Sequence, residues 1–115
     1  MSTIIYHNPR CTKSRLTLGI LEEKGLDFEI INYLEFPPSF DELKALIIEL
    51  KTDARGLMRT FEAAYKENNL DDELLNEDEL IQAMIDHPIL IERPIVRTDK
   101  GVAIGRPPES ILAII

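Results

Sequence analysis

Hydrophobic and polar positions along the chain alternate between two periods, and the changes fall at prolines and glycines. Thr3–Tyr6 is a β-branched and aromatic run that predicts a short strand, and His7-Asn8-Pro9-Arg10 breaks it. From Thr12 to Lys24 the apolar residues Leu16, Leu18, Ile20 and Leu21 fall at helical spacing, and Gly25 supplies a C-terminal stop. Phe28, Ile30, Ile31 and Tyr33, within Asp27–Tyr33, predict a second strand. Strand, helix and strand in such close succession make a βαβ unit, which requires parallel strands and a right-handed crossover.

Pro37-Pro38 closes that unit. Ser39 followed by Glu42 has the spacing of a capping box, and the helix it opens turns Leu43, Leu46, Ile47 and Leu50 inward. Ala54–Asn68 reads as one further helix, with Leu57, Met58, Phe61 and Tyr65 along one side. Asn76, with Glu79 three residues on, opens another that turns Leu80, Ala83 and Met84 inward. That helix stops before Pro88 and leaves His87 at its C-terminal end. After Pro94, Ile95–Thr98 and Val102–Ile104 are short strands joined by the turn Asp99-Lys100-Gly101. Glu109–Ile115 is expected to be a closing helix, with Pro107 or Pro108 in its first turn. The order βαβ, helices, ββα is that of an α/β, thioredoxin-like fold, with residues 39–87 as a helical insertion between its halves. Residues 1–115 are accordingly expected to form a single domain.

Composition narrows the function classes. The 115 residues include one cysteine and two histidines, His7 and His87, so neither an internal disulfide nor a cysteine-rich metal site is available, and no metal centre is expected. A net charge of −8 argues against nucleic acid and anionic membrane as bulk partners. The longest apolar run, Ile111–Ile115, is far below the ~20 residues of a membrane span. Met1-Ser2-Thr3-Ile4-Ile5-Tyr6 carries no basic stretch leading into an apolar one. A cytoplasmic protein with a reduced cysteine is therefore expected, and a monomer. The charge is uneven. Residues 41–92 hold 14 acids against 5 bases, a net of −9, whereas residues 7–15 and 93–106 each carry +3. If the fold is as predicted, the two basic stretches converge.

The lone cysteine sits in the first of them. Cys11 lies just past the first strand, at the start of the first helix, where unpaired N–H groups and the helix dipole favour a thiolate or a bound anion. Arg10, Lys13 and Arg15 add positive charge nearby, so the thiol pKa is expected to fall below its usual ~8.5. Cys11-Thr12-Lys13-Ser14 is a CxxS and not a CxxC. A Cys11 that is oxidised or substituted during turnover must therefore be resolved by a thiol from outside the chain, glutathione or a protein thiol.

His7-Asn8-Pro9-Arg10-Cys11-Thr12-Lys13-Ser14-Arg15 resembles the HNPxCxxSR motif of the glutaredoxin-coupled arsenate reductases, the ArsC family. The likeness continues, collinearly, through Tyr33-Leu34-Glu35-Phe36-Pro37-Pro38, Leu57-Met58-Arg59, His87-Pro88-Ile89-Leu90, Glu92-Arg93-Pro94-Ile95-Val96 and Gly105-Arg106-Pro107-Pro108-Glu109. The resemblance implies Cys11 as nucleophile and Arg59, Arg93 and Arg106 as oxyanion-binding arginines. Guanidinium forks suit a tetrahedral, negatively charged arsenate, donating paired, charge-assisted hydrogen bonds. Read without the family, Arg59 is better explained as a solvated helix residue, and Arg93 and Arg106 as surface salt-bridge partners.

The implied reaction has three steps. The Cys11 thiolate attacks arsenate and expels water; glutathione reduces arsenic(V) and leaves a glutathione–Cys11 disulfide; glutaredoxin removes the glutathione as arsenite departs. Glutathione is thus a co-substrate, with no bound cofactor. Four further residues have supporting readings. His7 modulates the thiolate or orients its loop, Asn8 bonds across that loop, and both serve equally well as turn residues. Ser14 bonds the sulfur or caps the helix. Pro94 matches the cis-proline that thioredoxin-like folds place opposite the cysteine. Two other readings share the fold: a glutathione-dependent thiol oxidoreductase for another substrate, and an Spx-like regulator that binds RNA polymerase. The latter typically has CxxC and leaves the arginines unexplained.

Overall fold

A computed structural model describes residues 3–115, so Met1 and Ser2 of the N-terminal reading lie outside the described residues. The chain divides into two compact units. One comprises the residues up to Phe36 together with Arg93–Ile115, and the other is Pro37–Glu92.

The first unit is built on a four-stranded mixed sheet. Its strands are β1 (Thr3–His7), β2 (Phe28–Asn32), β3 (Ile95–Thr98) and β4 (Gly101–Ile104), in the order β2-β1-β3-β4. β1 and β2 are parallel, with Ile5 opposite Ile30, and α1 (Thr12–Glu23) connects them. β3 runs antiparallel to β1, with Ile5 opposite Val96, and β4 antiparallel to β3. This is the α/β architecture that the pattern predicts. Gly25, at φ +67, ends α1 in the left-handed region where a side chain is strained. The core is Ile5, Leu21, Val96, Ile111 and Ile114, with Leu18, Ile20, Leu26 and Phe28 packed against it.

Of the apolar residues at helical spacing on α1, Leu21 is buried and Leu18 and Ile20 pack against the core, whereas Leu16 is 55% exposed. Ser14 and Thr17 share the buried face, because their hydroxyl oxygens are satisfied locally. Thr17 Oγ1, for example, donates to the Lys13 carbonyl at 2.8 Å. One expectation for this unit is corrected: the closing segment is not an α-helix. Pro108–Ile114 is a 3₁₀-helix, with Pro108 at its start and the Ser110 N–H donating to the Pro107 carbonyl at 2.9 Å. Three residues per turn bring Ile111 and Ile114 onto one face, and both are buried in the sheet's core. The Thr98 hydroxyl donates to the Ile114 carbonyl at 2.5 Å and fastens this end to β3.

The second unit holds α2 (Phe40–Glu49), α3 (Ala54–Leu57), α4 (Ala63–Glu67) and α5 (Glu77–Asp86), followed by a 3₁₀ turn at Pro88–Leu90. α2 and α5 pack together and bury Leu43, Leu46, Ile47, Leu80, Ile81 and Met84. Leu50 is the C-cap of α2 and only half-buried. Ser39 caps α2 by accepting from the Glu42 N–H at 3.2 Å. Asn76 and Glu79 form a reciprocal capping box on α5. Losing a side-chain cap of this type costs typically about 1 kcal/mol. Asn76→Ala should therefore lower the urea midpoint of the folded protein with an unchanged denaturant slope, and an unchanged midpoint would show that the cap adds nothing.

The single helix expected over 54–68 is two short helices with a break. Met58 is extended (φ −87, ψ 144) and bridges Ile91. The Arg59 N–H donates to the Leu90 carbonyl at 2.8 Å, and the Glu92 N–H to the Leu57 carbonyl at 2.9 Å. Strand-like bonds to residues 90–92 have replaced intrahelical ones. Phe61, expected on the buried side, is 71% exposed. Apolar spacing alone cannot show that the backbone at Met58 has a better partner at Ile91, far along the chain.

Candidate active site

The candidate site is assembled in the sheet unit. β1 ends at His7, and the turn His7–Arg10 delivers Cys11 to the N-cap of α1, with extended backbone (φ −92, ψ 123). Local hydrogen bonds hold this turn. The Cys11 N–H donates to the Asn8 carbonyl at 3.0 Å, the Arg10 N–H to Asn8 Oδ1 at 3.0 Å, and the Asn8 N–H to Ser14 Oγ at 3.0 Å. Ser14 Oγ also lies 2.6 Å from His7 Nδ1. His7, Asn8 and Ser14 are all buried. The Asn8 side chain thus makes a turn contact, to the N–H two residues on. The Ser14 hydroxyl goes to His7 and to the Asn8 N–H. Burial and then the charge of Arg15 lower the His7 pKa, so the ring is neutral at neutral pH. An unprotonated Nδ1 can then accept a hydrogen bond from the Ser14 hydroxyl.

Cys11 is a free, half-buried thiol. Burial by itself pushes its pKa up. The Ser14 N–H, the Arg93 guanidinium and the Lys13 N–H, all directed at the sulfur, outweigh that and leave it below the ordinary thiol value. The direction agrees with the sequence reading, but the source of charge is different. Arg10, Lys13 and Arg15 have exposed side chains. The Arg15 guanidinium turns back on its own loop, donating to the Pro9 carbonyl at 3.2 Å and to Thr12 Oγ1 at 3.3 Å. Residues adjacent in sequence put their charge into water, whereas Arg93 and Arg106 arrive from the far end of the chain. Arg106 Nη2 is 3.7 Å from Cys11 Sγ, and its Nε donates to the Arg93 carbonyl at 2.8 Å. Arg93-Pro94 is a cis peptide, as expected for Pro94, and Arg106-Pro107 is a second.

A lowered pKa has a definite pH signature. Ionisation of Cys11 stabilises the folded state above the unfolded thiol's pKa, and that contribution disappears as pH falls through the folded-state value. Iodoacetamide should alkylate Cys11 with a midpoint below the ~8.5 of a free thiol. A midpoint at or above that value would remove the thiolate from the site.

Arg59 belongs to the other unit, in the break after α3. It is 9% exposed and not a solvated helix residue. Its Nε donates to Glu62 at 3.1 Å and its Nη1 to Glu92 at 2.9 Å, and the guanidinium lies 4.5 Å from the Phe61 ring centroid. The two carboxylates were not singled out in the sequence, although Glu92 sits inside a quoted motif. Among the described residues, no three His, Cys, Asp or Glu side chains are grouped to hold a metal ion, and no helix is long and apolar enough to cross a membrane.

A free cysteine with a lowered pKa on a helix N-cap after the first strand, with the arginine of a cis Arg93-Pro94 peptide directed at its sulfur, defines a thioredoxin-like thiol protein; the paired arginines are the particular feature. The sequence matches the family model described as "ArsC family" over residues 6–114, and the chain belongs to that family. It is 47% identical to an arsenate reductase of Neisseria meningitidis over 112 residues, covering 96% of each chain. It is 47% identical over the full length of both chains to an arsenate reductase of Haemophilus influenzae. Its fold superposes on a solved arsenate reductase from Vibrio cholerae with a TM-score of 0.95 and 50% identity, covering 100% of this chain and 98% of that one.

Proposed function

We propose that the protein is an arsenate reductase in which Cys11 is the nucleophile and Arg93 and Arg106 bind and polarise the oxyanion. One observation carries the reading: a sulfur whose ionisation is favoured by helix N–H groups, with Arg93 directed at it and Arg106 at 3.7 Å. The same guanidiniums that stabilise the thiolate would stabilise the negative charge on an oxyanion brought against it, including the charge that grows during attack. Its relatives' names supply the identity of the oxyanion.

In this reading Cys11 Sγ bonds to arsenic and an oxygen leaves as water. Glutathione thiolate then attacks. Two electrons from the two sulfurs reduce arsenic(V) to arsenic(III), and the sulfurs end as a mixed disulfide, which glutaredoxin reduces. The single cysteine supports an external thiol, because no second thiol exists in the sequence to complete the disulfide. Arg59 is assigned to the same anion on its place in the family motif. The neutral His7–Ser14–Asn8 set is assigned to holding the loop, and the working state to a cytoplasmic monomer acting as one ArsC-type domain with its helical insertion. NADPH oxidation coupled through glutathione reductase, glutathione and glutaredoxin tests the reading. Arsenate-dependent turnover well above the protein-free rate is expected. A rate equal to that of free glutathione would shift the reading to a thiol oxidoreductase with another substrate.

A further inference from the structure

Gly105 immediately precedes Arg106 and is buried, with its N–H donating to the Pro94 carbonyl at 2.9 Å. It has no positive φ that would call for glycine. Space is what demands it. A Cβ placed on Gly105 would run into Thr17 Oγ1 well inside contact distance, lie 3.1 Å from Thr17 Cγ2, and lie 2.8 Å from Pro94 Cγ. Neither neighbour yields readily. Thr17 is β-branched, fully buried on α1, and held by its bond to the Lys13 carbonyl. Pro94 is a ring in the backbone that carries Arg93. The β4 end is thus pressed against the helix that begins at Cys11 and against the proline that follows Arg93.

We propose that Gly105 is a positioning residue for the thiolate site: its missing side chain lets the chain close on Thr17 and Pro94, which brings the Arg106 guanidinium to Cys11. The reach supports this. Arg106 is tied at two points, its own N–H to the Ile104 carbonyl at 2.9 Å and its Nε to the Arg93 carbonyl at 2.8 Å. A shift of residue 105 away from α1 is therefore transmitted to the 3.7 Å contact with the sulfur. A displacement of about 1 Å at a site of this kind can lower turnover roughly 10²-fold.

The inference rests on the proposed arsenate chemistry only for its activity readout; Cys11 alkylation provides a second readout that needs no arsenate. Gly105→Ala, folded by circular dichroism, should lower kcat/KM for arsenate by about 30-fold or more. It should also move the pH midpoint of iodoacetamide alkylation upward, as the thiolate loses a cation. Adding Thr17→Ala removes both Thr17 contacts, including the nearest atom, and leaves Pro94 Cγ at 2.8 Å, so Thr17→Ala/Gly105→Ala should regain part of both losses. A shifted alkylation midpoint in a protein whose wild type does not reduce arsenate would retire the arsenate reading and keep the positioning role. Unchanged alkylation and activity in Gly105→Ala, or a double variant no better than the single, would overturn the proposal. So would a double variant that does not fold, since it would assign Gly105 to stability alone.

Discussion

Cys11→Ser is expected to remove arsenate reduction altogether, with a fall on the order of 10⁴-fold or more, down to the glutathione background. The argument is electronic. A serine hydroxyl in the same place is un-ionised at neutral pH, and the N–H groups of Ser14 and Lys13 and the Arg93 guanidinium cannot lower its pKa enough to change that. It is also a poor electron donor, so no two-electron step to arsenic(III) can end in a disulfide. The chain offers no other cysteine to take over. The measurement is the NADPH-coupled assay, alongside circular dichroism to confirm folding. Retained turnover would show that Cys11 is not the nucleophile.

Arg93→Lys and Arg106→Lys should each lower kcat/KM for arsenate roughly 10²-fold, the range seen when one preorganised oxyanion donor is removed. Charge is preserved in both variants, so the loss measures geometry. A lysine ammonium is a point donor and cannot keep one nitrogen on the Arg93 carbonyl while another faces Cys11 Sγ, as Arg106 does with Nε and Nη2. Arg97→Lys is the control. Arg97 stands on β3, paired in register with Ile4 and Val102, and should change the rate by about twofold at most. Equal effects at the three positions would place the oxyanion elsewhere.

How far the sequence can be read depends on where the cause of each feature lies. The βαβ unit, the Asn76–Glu79 capping box and the β3–β4 hairpin have causes within a few residues, and local reading finds them. The break at Met58 has its cause at residues 90–92, so local spacing extends a helix through it. The burial of Ser14 and Thr17 on α1 is hidden for a related reason: both are polar by type but satisfied by partners that the pattern does not display.

The sequence by itself determined the chemistry. One cysteine at a helix start, without a second thiol, implies a thiolate that must be resolved from outside, whatever the fold. Tertiary structure alone decided what controls that thiolate. The bases next to Cys11 along the chain are exposed, while Arg93 and Arg106 reach the sulfur, Arg106 across 95 positions. Gly105 owes its identity to Thr17 and Pro94 in the same way. Charge and contact act through distance in space, and sequence order reports that distance only within a turn or two of helix.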